Sequence, residues 1–306
     1  MKILKKYFSS ILNRVFNEEM QKELILKAKL LSNQNLKLKR IKDLSEVEFQ
    51  VYSQWGEDGI IDWLVNKFPE IPKSFLEIGT ENYKESNTRF LLVNKNWDGF
   101  IIEADKNSVK DIKSQRVYWK HNLTIENQFV DQNNINTIIK RINIPKKLGL
   151  LSLDIDGIDY WVLKKLSVLE PSIVICEYNS LFGQKKAITV PYKKNYIRSN
   201  EHYSNLFYGA SIKAFIDLLK KRNYFFIGTN SAGNNAFFVN QNIWKKAKKL
   251  IYEKKIFISK FRESRNLKGE LTFLNKKKSL EMIKNKIVID LKNNQKKKLF
   301  ELGLIN

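Results

Sequence analysis

Residues 74–79 (SFLEIG) and 99–104 (GFIIEA) decide the fold class of this 306-residue chain. Each is a short, mostly apolar run with an acid near its C-terminal end, and Glu77 and Glu103 stand 26 positions apart. Runs that are apolar on consecutive residues, rather than alternating, fit strands covered on both faces. Working outward, residues 116–121 (RVYWKH), 148–155 (LGLLSLDI) and 172–177 (SIVICE) read as further strands. Helical spacing over residues 87–95, 134–142, 160–166 and 211–222 falls between and after them. Such a βαβ rhythm implies a parallel sheet with helices on both sides. Residues 224–228 (YFFIG) and 236–240 (AFFVN), joined by TNSAGN, read as a hairpin that closes the sheet with one antiparallel strand.

The expectation is an α/β, Rossmann-like, seven-stranded, mostly parallel sheet with a terminal antiparallel hairpin, and helical N- and C-terminal extensions. Residues 1–46 form the N-terminal extension, 47–242 the α/β domain and 243–306 a Lys-rich C-terminal extension that reads as mainly helical from Trp244 onward. The N-terminal stretch places Ile11, Leu12, Val15, Phe16, Leu24, Ile25, Leu30 and Leu31 at helical spacing, for packing on the core or for contact with a membrane surface. A second helix, residues 58–66, stops before Pro69 and Pro72.

The net charge of +23 divides into +6 for residues 1–46, +4 for 47–242 and +13 for 243–306. Basic residues therefore crowd the ends instead of interleaving with aromatics on a recognition face, so no specific nucleic-acid partner is expected. A solvated lysine-rich surface, or peripheral contact with an anionic membrane or acidic glycan, fits that distribution. The single Cys176 excludes a disulfide framework, and with two histidines it cannot build an ordinary structural zinc site. No apolar run reaches the length needed to cross a bilayer, and the expected compartment is the cytoplasm.

In open parallel sheets, ligands bind at the carboxyl ends of strands near the point where strand order reverses. Glu103, ending the second strand, is placed to accept hydrogen bonds from two ribose hydroxyls, and Gly79 lets backbone come close to a ligand or simply makes a turn. Neither G-x-G-x-x-G nor G-x-x-x-x-G-K-[ST] occurs, so a nucleoside without a diphosphate fits better than a dinucleotide or a nucleotide triphosphate.

At these residues the sequence resembles the class I S-adenosylmethionine-dependent methyltransferases: Glu77-Ile78-Gly79 is similar to the E-x-G core of their first motif, and Glu103 to their ribose-binding acid. Within that class the resemblance is to the FkbM-like subgroup, carried by residues 52–59 (YSQWGEDG), 85–88 (ESNT), 153–157 (LDIDG) and 234–239 (NNAFFV). The further glycines common after E-x-G are replaced by Glu81 and Tyr83. The resemblance implies that Glu77, Gly79 and Thr80 line the methionine side of the cofactor, that Glu103 and Ala104 meet the ribose and that Asn122 and Leu123 flank adenine. It also implies that the loop holding Gln54 and Asp58 covers the methionine end. Capping is the alternative role for Asn122 and Asp58.

On the acceptor side, Asp154 and Asp156 share one face of an extended segment, as do Glu177 and Asn179. Four oxygen-bearing side chains at adjacent strand tips suit Mg²⁺ or Mn²⁺; without a metal, Asp154 and Asp156 remain candidates for proton removal. The long loop 180–208 holds Tyr192, Tyr196, Arg198, His202, Tyr203 and Tyr208, residue types that stack on a sugar ring and grip an anionic substituent. His202 is the candidate general base, because imidazole titrates near neutrality. The expected activity is O-methylation of a hydroxyl on a sugar or surface-polysaccharide precursor. N-methylation, methylation of another small molecule, and a non-catalytic binding module tethered by its basic ends stand as alternatives.

Overall fold

The structure is a computed structural model that describes the backbone of residues 2–304 and the side chains of residues 19–304. Its strands are Ser74–Ile78 (β1), Asp98–Glu103 (β2), Leu123–Asn127 (β3), Lys147–Leu153 (β4), Glu170–Glu177 (β5), Ile188–Thr189 (β6), Tyr224–Thr229 (β7), Asn235–Asn240 (β8), Ile287–Asp290 (β9) and Gln295–Lys298 (β10). Seven of them form one sheet in the order β3-β2-β1-β4-β5-β8-β7, in which β1 to β5 run parallel and β8 is antiparallel to both of its neighbours. The expected doubly covered sheet with its antiparallel closure is therefore observed. All of β1 is buried, as are β4 beyond its first residue and the interior of β5.

The helices are Lys2–Lys37 (α1), Glu57–Lys67 (α2), Arg89–Lys95 (α3), Lys106–Ser114 (α4), Arg116–Lys120 (α5), Ile135–Arg141 (α6), Asp159–Lys165 (α7), Arg198–Glu201 (α8), Ile212–Lys220 (α9), Gln241–Ala247 (α10) and Lys276–Ile283 (α11). Two apolar layers flank the sheet. One packs Ile135, Ile138, Leu163 and Phe215 against it, and the other packs Ile60, Leu64, Leu91 and Ile243.

Two sequence expectations are corrected. Residues 116–121 are not the third strand: Arg116–Lys120 is a helical turn with only Val117 buried, and Trp119 stands 70% exposed. A parallel strand needs burial on both faces, which β propensity alone does not supply. The strand is instead Leu123–Asn127, which pairs with β2 from Gly99↔Leu123 to Glu103↔Asn127.

The C-terminal segment is also not mainly helical. Among the described residues after 240, only α10 and α11 are α-helical, and β9 and β10 form a hairpin whose β9 pairs with β6 in a second, antiparallel sheet. Asn294 at φ 58° supplies the turn, and the lysines of β10 are tolerated because the strand is an edge. Ile283, Val288, Leu299 and Leu302 from this segment are buried in the main core.

In α1 the described apolar face is only partly used. Ala28 and Ser32 are buried, and Ser32 Oγ donates to Asp62 of α2 at 2.5 Å, whereas Leu24, Leu30 and Leu31 are exposed. Ile11, Leu12, Val15 and Phe16 lie outside the described side chains. Among the described residues, no helix is long and apolar enough to cross a membrane.

Candidate functional site

A cavity of about 470 Å³ opens at the carboxyl ends of β1, β2, β4 and β5, where the chain order reverses between β1 and β4. Glu77 and Glu103 both line it. The Glu77 carboxylate is 4% exposed and accepts from Ser86 Oγ at 2.6 Å, from the Asn87 amide at 3.0 Å and from Thr88 Oγ1 at 2.5 Å. Burial holds it above the usual carboxylate range, against these donors. Glu77 therefore ties the 86–88 turn to the end of β1.

Glu103 accepts from the amides of Thr80 at 2.9 Å and Glu81 at 2.8 Å through Oε2, and from Asp105 at 2.9 Å through Oε1. A carboxylate has about four acceptor positions, so one is left facing the cavity.

The loop after β1 has the shape of a glycine-rich turn without its glycines. Gly79 has φ +80°, and a Cβ there would lie 1.7 Å from the Asp154 carbonyl oxygen, so the glycine serves the close approach of β1 and β4. Glu81 and Tyr83, standing where the resembled motif has glycines, keep left-handed φ values of 47° and 59°. Fully buried Tyr83 holds its turn through its hydroxyl, 3.1 Å from Thr88 Oγ1. Thr80, 4% exposed, lines the cavity with an Oγ1 that has no partner among the described residues. An orphaned buried hydroxyl, an acid with spare acceptor capacity and a close backbone fit a polar nucleoside in this cavity.

The stretches that carried the resemblance meet around the same cavity. Gln54, Asn234 and Asn235 line it, as do Ala104 and the 154–156 segment. Glu57 joins two of these stretches by accepting from Asn230 Nδ2 at 2.6 Å and Asn235 Nδ2 at 2.8 Å.

In the same cavity wall, Asp154, Asp156 and Glu177 bring carboxylate oxygens within 4.8 Å of one another. Burial, and then the neighbouring acids, raise Asp154 and Glu177 well above the carboxylate range. Arg198 faces this group: it donates to Asp156 and to Glu263, each at 2.5 Å, and its guanidinium lies 3.7 Å above the Tyr208 ring. The donor set suits a hard divalent cation, which would neutralise three clustered acids served by one guanidinium.

Several expected site residues lie elsewhere. Asn122 and Leu123 precede or begin β3 rather than follow it, so they sit at the edge opposite the cavity, where Asn122 Nδ2 donates to Asp98 at 2.8 Å. Gln128, Phe129 and Val130, after the true third strand, take the expected place in the cavity wall. Asp58 does not reach the cavity. Its Oδ2 gathers the amides of Val51, Tyr52 and Ser53 and the Ser53 hydroxyl at 2.6 to 3.0 Å, shaping the covering loop from below, and Gly56 is the N-cap of α2.

Asn179 is not in the acid cluster, because it spends Nδ2 on the Leu206 and Tyr208 carbonyls and Oδ1 on the Leu181 amide. His202 is outside the cavity as well. Its Nδ1 lies 2.7 Å from Ser204 Oγ and its ring stacks on Tyr203, while burial followed by Lys286 lowers its proton affinity. Phe261 and Glu263 complete the wall from the C-terminal segment, and Phe261 packs against Trp55 with ring centroids 5.0 Å apart and the planes tilted by 51°. No local motif marks these two residues, since a lysine-rich flank gives no spacing signal.

The sequence matches no family model and no curated protein. Solved structures of similar fold include the N-terminal domain of EvdMO1 with SAH bound (TM-score 0.39, 8% identity, 69% of this chain and 94% of that one). They also include a putative O-methyltransferase from Klebsiella pneumoniae (TM-score 0.36, 11% identity, 71% and 90%). A third is the mitomycin 7-O-methyltransferase MmcR (TM-score 0.35, 14% identity, 56% of this chain). The match spans about half the length of MmcR and of the pyocyanin biosynthetic protein PhzM, 50% and 53% respectively. Independently of these, the strand order and the antiparallel β8 define the chain as a Rossmann-like α/β fold with a seven-stranded sheet.

Proposed function

We propose that the protein is an S-adenosylmethionine-dependent O-methyltransferase acting on a hydroxyl of a sugar or surface-polysaccharide precursor. The observation that supports this best is the convergence of Glu77, Glu103 and the orphaned Thr80 hydroxyl on one cavity at the switch point of the sheet. A sulfonium nucleoside supplies an electrophilic methyl group to such a site. Glu103 would hold the ribose, Thr80 would offer its hydroxyl, and the acidic wall favours a cationic sulfur.

In-line displacement needs the acceptor oxygen aligned and its proton removed. Tyr196 and Arg198 border the acceptor side, and in the metal-free form an ionised Asp154 or Glu177, made a stronger base by its burial, is placed to receive it. Calorimetry with S-adenosylhomocysteine tests the reading: micromolar binding that falls at least about tenfold in Glu103→Ala is expected. No binding by the wild type would leave a non-catalytic binding module as the better description.

Mg²⁺ or Mn²⁺ held by Asp154, Asp156 and Glu177 is part of this reading and would acidify the acceptor hydroxyl. The Arg198–Asp156 pair favours a metal-free alternative, because the guanidinium already supplies a positive charge to the cluster. Turnover lost in EDTA and restored by Mg²⁺ or Mn²⁺ is the expected result, and full turnover in chelator decides for the alternative.

A further inference from the structure

Behind the acceptor side lies a second cavity, of about 220 Å³, whose wall is shared with the first through Phe261 and Glu263. Between the two, Tyr208 lines the second cavity and carries Arg198, which lines the first. The second cavity is below the roughly 300 Å³ at which ordinary ligand pockets begin, so it suits part of a ligand rather than a whole nucleoside.

The two cavities differ in sign. Eight carboxyl side chains and one guanidinium line the first. Lys260, Arg262 and Lys276 line the second, where the one acid, Glu263, is already paired with Arg198. Lys260 and Lys276 have no ion-pair partner among the described residues. Arg262 spends Nε on the Phe273 carbonyl at 2.7 Å and keeps its terminal nitrogens. Tyr178, 2% exposed, also lines this cavity, with its hydroxyl beside Thr229. Ser180, Gln184 and Ser279 add small polar groups.

We infer that this second cavity holds the phosphate end of a phosphorylated sugar acceptor, whose sugar ring passes over the rim shared at Phe261 and Glu263 so that its hydroxyl enters the first cavity beside the acid cluster. The inference rests on the methyl-transfer reading above and narrows its substrate class. An anion is repelled from the first cavity by the surplus of carboxylates and attracted by the second, so the charge difference fixes which end of the acceptor enters which space. Ammonium groups act as point charges on phosphate, and the Ser180 and Ser279 hydroxyls supply directional hydrogen bonds.

The test is calorimetric titration of the full chain with glucose 1-phosphate, inorganic phosphate and glucose, in the wild type and in the double variant Lys260→Ala/Lys276→Ala. Both lysines are exposed, so the fold should survive. Saturable millimolar binding of glucose 1-phosphate and phosphate, absent for glucose and weakened at least about tenfold in the variant, is expected. S-adenosylhomocysteine affinity should stay the same in both proteins. Equal affinity of wild type and variant for glucose 1-phosphate, or no saturable binding of either phosphate probe, overturns the inference. Loss of S-adenosylhomocysteine binding by the wild type would instead strike the cofactor reading alone.

Discussion

Glu103 was legible as a site residue because its position at a strand tip follows from hydrophobic runs alone, and the structure puts it in the cavity wall. His202 was not placeable in the same way. Its chemistry suited a base, but its location depended on a long loop whose path is set by carbonyl contacts of Asn179 and Tyr196. Asp58 shows the converse: a polar residue beside an aromatic motif turned out to organise three backbone amides beneath the surface. Glu81 offers a direct energetic test at this scale. A non-glycine residue in left-handed conformation costs on the order of 1 to 2 kcal/mol, partly offset by the chain entropy that a glycine loses on folding. Glu81→Gly should therefore raise the unfolding free energy by about 0.5 to 1 kcal/mol in urea melts, with S-adenosylhomocysteine affinity kept, because the amide donated to Glu103 is retained.

Among the elements, those buried on both faces were readable and those set by partial burial were not. β1, β4 and β5 are continuous apolar runs, and their expected bounds lie within two residues of the observed ones at every end. Arg116–Lys120 has the β-branched and aromatic composition of a strand, yet nothing covers its second face, and the weaker run LTIEN takes its place because it can pair with β2. The same cause hid the β9–β10 hairpin, in which Val288 faces the core and the lysines face outward at an edge. Its neighbour α11 inserts Leu280 and Ile283 into the interior, so the lysine-rich flank is part of the folded body. Ile283→Ala, at a fully buried position, should cost about 2 to 5 kcal/mol, read as a lower urea midpoint at unchanged slope; a change below about 0.5 kcal/mol would mean that the segment is detachable.

At the scale of the whole molecule, a chain of net charge +23 encloses a cavity whose charged lining consists of eight acids and one arginine. Composition could not show this, because the acids lie in the nearly neutral middle and converge only when the parallel strands align their tips. The basic flank comes to meet them: Phe261 rests on Trp55, and Glu263 closes on Arg198, from segments that are far apart in sequence. That closure has a consequence for biosynthesis. As the polypeptide leaves the ribosome, the complete central sheet can assemble once β8 has emerged, but its pocket still lacks a rim until the stretch carrying Phe261 and Glu263 follows. A nascent chain halted between those points would hold the sheet but neither the rim nor the α11 and β9 side chains that finish the core, so the capacity to retain a ligand arrives only with the C-terminal segment.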